Sequence, residues 1–177
     1  MGDFEKAVKL VLGFEGGVSA RPLSEDPGGL TNLGISTRFL RSVGDPRDVR
    51  DLTVADAVEL YRRHFWNKVK GDDLPEPLAT TVFDHAVNAG PGTAGRLLQT
   101  LLNEYGADLA VDGAIGAATF GALQELGGEP EWLAQRYLWR RIRDYANRPS
   151  LELRRVNLSG WCNRVCNLEE KLFGEEG

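Results

Sequence analysis

Phe4-Glu5-Lys6-Ala7-Val8-Lys9-Leu10-Val11-Leu12-Gly13-Phe14-Glu15-Gly16-Gly17 sets the reading of the rest of the chain. Phe4, Ala7, Val8, Val11 and Phe14 recur at helical spacing behind Asp3, a suitable N-cap, so the segment predicts an amphipathic first helix. Gly16-Gly17 predicts its stop, because glycine enters the left-handed geometry of a helix C-terminus without a Cβ clash. Glu15 then stands at the helix end, one step after an aromatic residue. The negative end of the helix dipole and any desolvation both disfavour its ionised form. A carboxyl with a raised pKa is what a general acid needs near neutral pH, whereas a solvated glutamate beside a helix stop needs no function. These residues alone leave both readings open.

Residues 18–35 carry turn signals at Arg21-Pro22, Asp26-Pro27-Gly28-Gly29 and Leu33-Gly34, with a short strand or hairpin expected between Leu30 and Ile35. Ser36 reads as the N-cap of a short helix that Gly44 stops. Thr53-x-x-Asp56 resembles a capping box, and Val54, Ala57, Val58, Tyr61 and Phe65 give the helix behind it an apolar stripe. Further helices are expected over Leu78 to about Asn88, Thr93 to Tyr105, around Phe120 and Leu123, over Trp132 to Tyr145, and around Trp161, Val165, Leu168 and Leu172. The expected fold is mainly α, with a small β-hairpin after the first helix.

With 177 residues, 42% of them hydrophobic and 27% charged, the chain can bury a core without disulfides. A net charge of −5 argues against a nucleic-acid binder that works by neutralising phosphate. Arg136, Arg140, Arg141, Arg143, Arg148, Arg154, Arg155 and Arg164 cluster late, and read more readily as a solvated helix face than as a surface for an anionic polymer. Cys162 and Cys166, one helical turn apart, suit packed free thiols better than a disulfide or a metal site. No metal or cofactor is called for, no run is long enough to span a membrane, and the N-terminus has no signal-peptide pattern. The expectation is a monomer without stable membrane association.

Asp26 and Thr31 are the candidate companions of Glu15. A carboxylate across from an acid acts as nucleophile or base according to their separation, and a threonine hydroxyl can hold a water. Asp26 before Pro-Gly-Gly is also good turn chemistry. His64 and His85 lack the company of a ligand or a triad and read as surface or packing residues. Asp112-Gly113 reads as a turn, since the remaining ligands of a calcium loop are absent.

Glu15-Gly16-Gly17, Asp26-Pro27-Gly28-Gly29, Thr31-Asn32 and Gly34-Ile35-Ser36, in this order, resemble glycoside hydrolase family 108, lysozyme-like N-acetylmuramidases that include many phage endolysins. Downstream, Phe83-Asp84-x-Ala86-Val87-Asn88-x-Gly90-Pro91-Gly92, Leu98-Gln99, Val111-Asp112-Gly113-x-Ile115-Gly116 and Gly160-Trp161-x-Asn163-Arg164 look like the peptidoglycan-binding region that follows in that family. The resemblance implies a lysozyme-like catalytic region over 1–90 and a helical peptidoglycan-binding region over 91–177, packed as one unit. It implies cleavage of the β-1,4 bond between N-acetylmuramic acid and N-acetylglucosamine. It places the essential glutamate at Glu15, and the Glu, Asp, Thr order of phage lysozymes more broadly suggests Asp26 and Thr31 as partners. The chain departs from the family in a somewhat longer loop between Glu15 and Asp26, and in Val18 and Leu33 where aromatics are expected.

Asn88-Ala89-Gly90-Pro91-Gly92 is also similar to a turn of lytic transglycosylases, so Asn88 is expected either to bind a sugar N-acetyl group or to cap its helix. Asp84, one turn earlier, either lines the cleft or anchors helices. Tyr61 and Trp66 are the expected stacking residues, while Trp132, Trp139 and Trp161 read more readily as core. The partner implied is bacterial peptidoglycan. The location implied is the host cytoplasm until release to the wall. A lytic transglycosylase and a non-catalytic wall-binding or secretion-assisting protein are the alternatives.

Overall fold

The structure, a computed structural model, describes residues 1–14, 29–147 and 151–174, excluding the side chains of 151–154 and 156. Eight α-helices and one two-stranded hairpin form among these residues. Helix α1 (Phe4–Phe14) is capped by Asp3, whose Oδ1 accepts from the Lys6 N–H at 3.0 Å. Its buried face is Phe4, Ala7, Val8 and Val11, as the spacing predicts.

Strands β1 (Thr31–Asn32) and β2 (Ile35–Ser36) pair antiparallel, Asn32 opposite Ile35. Leu33 and Gly34, both at positive φ (50° and 75°), make the two-residue turn that matches strand twist. A leucine there is strained, at a cost of about 1–3 kcal/mol. The surroundings hold it in place. The Tyr61 hydroxyl donates to the Leu33 carbonyl at 2.8 Å, and Asn32 Nδ2 donates to the Val49 carbonyl at 3.1 Å.

Ser36 caps α2 (Thr37–Ser42) by accepting from the Phe39 N–H. A 3-10 turn over Val49–Asp51 leads to α3 (Val54–Tyr61), where Thr53 and Asp56 form the expected capping box. The stripe is buried at Ala57, Tyr61 and Phe65, while Val54 in the first turn is exposed. A π-helical turn over Arg62–Trp66 inserts an extra residue, and the neighbours Phe65 and Trp66 are both buried. The Gly71 backbone lies flat on the Trp66 ring, where an added Cβ would collide with the indole. Gly71→Ala is therefore expected to lower stability by about 1–3 kcal/mol, measured as a drop in the denaturant midpoint.

Helix α4 (Leu78–Ala89) is buried along most of its length and is the central element, packing against α1, α5 (Pro91–Glu104) and α7 (Pro130–Ala146). Only Gly90 separates α4 from α5, at φ +90°, ψ 147°, a conformation that favours glycine. Gln99 pins the 112–114 turn by accepting from the Gly113 N–H at 2.7 Å and donating to Asp112 Oδ1 at 2.8 Å. Asp112 Oδ1 also accepts from the Ala114 N–H, so its role is that of a turn former. Helix α6 (Ala117–Leu126) follows. Helix α8 (Leu151–Phe173) is far longer than the stripe at Trp161–Leu172 predicts, and packs along α7.

One core cluster runs from Phe4 through Trp66, Phe83 and Leu98 to Tyr137. A second joins Leu138, Tyr145, Val165 and Leu168, with Phe14, the last residue of α1, packed on it. Two expectations fail here. Cys166 is exposed and Cys162 only half-buried, so the thiols are free but not both packed. Trp139 is 51% exposed and is not core. No described helix is long and apolar enough to cross a membrane.

Candidate active site

Glu15 and Asp26 lie outside the described residues; what the structure gives is Phe14, Thr31 and Asn88 with the side chains that hold them. Phe14 docks between α7 and α8, with the Lys171 ammonium 4.6 Å and the Arg164 guanidinium 5.4 Å from its ring centroid. Two cations of α8 therefore lie over the ring of the last residue of α1 and tie that end of the helix to α8.

Arg164 also reaches α4. Its Nε donates to Asp84 Oδ1 at 2.9 Å, while Arg141 Nη1 donates to Asp84 Oδ2 at 2.6 Å. Asp84 and Arg141 are fully buried and Arg164 is nearly so. Burial resists ionisation of Asp84, but the attraction of Arg141 and Arg164 and their hydrogen bonds outweigh it, and its carboxyl stays below the ordinary range. Burial likewise disfavours the Arg141 charge, and Asp84 and Tyr145 more than restore it.

The network continues outward. Arg141 Nε donates to the Tyr145 hydroxyl at 2.6 Å, and that hydroxyl donates to Asn88 Oδ1 at 2.6 Å. Asn88 is half-buried at the last turn of α4. Its oxygen is committed to Tyr145, while its Nδ2 has no partner among the described residues and is left as a donor. The side chain is turned to Tyr145 and does not bond the helix end, where Gly90 makes the turn.

Thr31 sits half-buried on β1, and its hydroxyl donates to the Gly29 carbonyl at a long 3.3 Å, a weak bond that leaves its lone pairs for another donor. His85 is a packing residue. Tyr137 donates its proton to the Ala94 carbonyl, so at 2.7 Å the His85 Nδ1 is the donor to Tyr137. His64 lies edge-on to Phe39.

Three substrate-binding expectations are corrected by burial. Asp84 is fully buried with both oxygens taken by arginines, so it anchors α4 to α7 and α8 and offers no face to a sugar. The Trp66 ring is fully buried edge-on to Phe4 and Phe83, its Nε1 donating to Asp72 at 2.9 Å. Tyr61 is buried too, and its hydroxyl serves the hairpin turn. The late arginines divide likewise: Arg141 and Arg164 are internal ties and not a solvated face. Among the described residues no group of His, Cys, Asp and Glu is placed to hold a metal ion.

Comparison with known proteins gives first the class, a glycoside hydrolase directed at peptidoglycan. In particular, residues 8–90 match the family described as "Glycosyl hydrolase 108", and residues 93–166 match the "Predicted Peptidoglycan domain". The chain joins these two regions in that order, and the change falls at the α4–α5 junction. Among solved structures, one titled "Structure of Brucella abortus SagA" is 29% identical, covers 98% of this chain and 97% of its own, and superposes with a TM-score of 0.81. No curated protein matches.

Proposed function

We propose that the protein is an N-acetylmuramidase that hydrolyses the β-1,4 bond between N-acetylmuramic acid and N-acetylglucosamine, with Glu15 as its general acid. The observation that carries this is the family match over residues 8–90, which spans Glu15, Asp26 and Thr31 together. In this reading the protonated Glu15 gives its proton to the glycosidic oxygen as the bond to the muramic-acid anomeric carbon breaks. Asp26, or a water held by Thr31, meets the oxocarbenium-like sugar, and the water ends on that carbon. Asn88 Nδ2, presented by the Tyr145 relay, suits the carbonyl of a sugar N-acetyl group. Residues 1–90 then form the cutting region and residues 91–177 the wall-binding region. The protein acts as a monomeric endolysin of phage type, held in the host cytoplasm until it is released to the wall.

The Asn88-Ala89-Gly90-Pro91-Gly92 stretch favours one rival, a lytic transglycosylase. Mass spectrometry of muropeptides released from purified peptidoglycan separates them. The expected products carry reducing muramic-acid ends, heavier by one water than the anhydro ends of a transglycosylase. Anhydro ends overturn hydrolysis, and wall binding without soluble products overturns catalysis.

A further inference from the structure

We infer that the outward face of α7 is a glycan-binding platform, built from Trp132, Arg136 and Trp139 with Tyr105 at its end, and that its ligand is the sugar backbone of peptidoglycan with its carboxylate-bearing stems. This rests on the proposed function and deepens it, because no residue of the 91–177 region has so far been assigned to holding the wall. Helix α7 has two faces. Leu133, Ala134, Tyr137, Leu138, Arg141 and Tyr145 point inward. Trp132, Arg136 and Trp139 fall on the other side at steps of four and three, about 10 Å along the axis.

On that side the Arg136 guanidinium lies 5.6 Å from the Trp132 ring centroid and 4.9 Å from that of Trp139. Tyr105 extends the row, edge-on to Trp132 at 4.8 Å. Trp139 is 51% and Tyr105 41% exposed, the two aromatics among the exposed large apolar side chains, and they belong to one cluster. A tryptophan left in water forgoes the burial that usually stabilises it.

The polar edges are equally unspent. Among the described residues neither indole N–H of Trp132 and Trp139 is hydrogen-bonded, and Arg136 has no carboxylate partner, whereas Arg140 beside it pairs with Glu104. Trp132 is half-buried against the first core cluster and anchors the row, while the exposed Trp139 and Tyr105 present apolar faces that match a pyranose, which has C–H groups on its faces and hydroxyls around its edge. The uncompensated guanidinium matches the carboxylates of the muramic-acid stems. A second copy of this chain would instead bring its own unpaired arginines against these. All four residues lie within the matched peptidoglycan domain.

The test is co-sedimentation of the full-length Glu15→Gln protein with purified sacculi, so that the wall survives the measurement. Trp139→Ala in that background is expected to weaken binding at least about tenfold, Arg136→Gln several-fold, and Trp139→Phe much less, with melting temperatures unchanged. Unchanged affinity in Trp139→Ala and Arg136→Gln overturns the platform. So does binding transferred to anionic lipid vesicles, or a Trp139-dependent dimer in sedimentation velocity with wall binding intact. Because the readout is binding, it is separable from the muramidase reading. Wild-type protein that releases no muropeptides while binding sacculi through Trp139 sinks the hydrolase and leaves the platform standing.

Discussion

Glu15→Gln is expected to reduce the release of reducing ends from purified peptidoglycan by roughly 10²–10⁴-fold, the usual contribution of a positioned general acid. The amide fills the same volume and accepts similar hydrogen bonds but has no proton of suitable acidity for the departing sugar oxygen. Far-ultraviolet circular dichroism and the melting temperature should match those of the parent. Near-parental hydrolysis by a folded variant would remove Glu15 from the role. Asp26→Asn and Thr31→Ala in the same assay rank the two candidate partners, since the group facing the oxocarbenium-like carbon should cost far more than a turn former.

Asp84→Ala is expected to be the most destabilising single change, by about 3–5 kcal/mol, because it leaves two arginines buried without their counter-charge. For a chain of this size that is on the order of 10 °C in melting temperature. Asp84→Asn, which fills the same space and keeps one acceptor oxygen for one of the two arginines, should cost less. The pH dependence has a definite sign. The folded carboxyl titrates below its unfolded value of about 3.9, so its contribution is complete above that pH and is lost as acidification carries it through the folded value. Chemical denaturation at neutral pH and at pH 3 should therefore show the difference between wild type and Asp84→Asn shrinking in acid. A difference independent of pH would mean that the carboxylate charge does not hold the three helices.

The elements legible in the sequence are those whose causes are local. Asp3, Ser36 and the Thr53–Asp56 pair cap helices through bonds that reach three residues, and Gly34 supplies one of the two positive-φ positions of the hairpin turn. The central network is illegible for the opposite reason. Asp84 meets Arg141 across 57 residues and Arg164 across 80, and an arginine is ordinarily a surface residue. One signal was present. The stripe Ala134, Tyr137, Leu138, Tyr145 passes through Arg141 and puts it on the buried side of α7, with Trp139 on the other. Tyr61 and Trp66 misled because nearness in sequence to the loop before the Asn88 helix says nothing of which way a ring faces, and both rings turn into the core. The site is legible only as a set of residue types around Glu15. The ties that orient its frame, Phe14 to Arg164 and Asn88 to Tyr145, exist only in the folded chain.

The single residue Gly90 between α4 and α5 has a kinetic meaning. Wall-cutting proteins with a flexible tether can stay anchored while the catalytic part sweeps a volume set by linker length, so one landing allows many cuts. Here the first core cluster crosses the junction and there is no slack to sweep with. Under the proposed function, every cut is made at a fixed offset from the point of grip, and reaching the next bond requires letting go. Excessive grip would then slow the enzyme, so selection should favour an adhesive face that holds moderately and releases quickly.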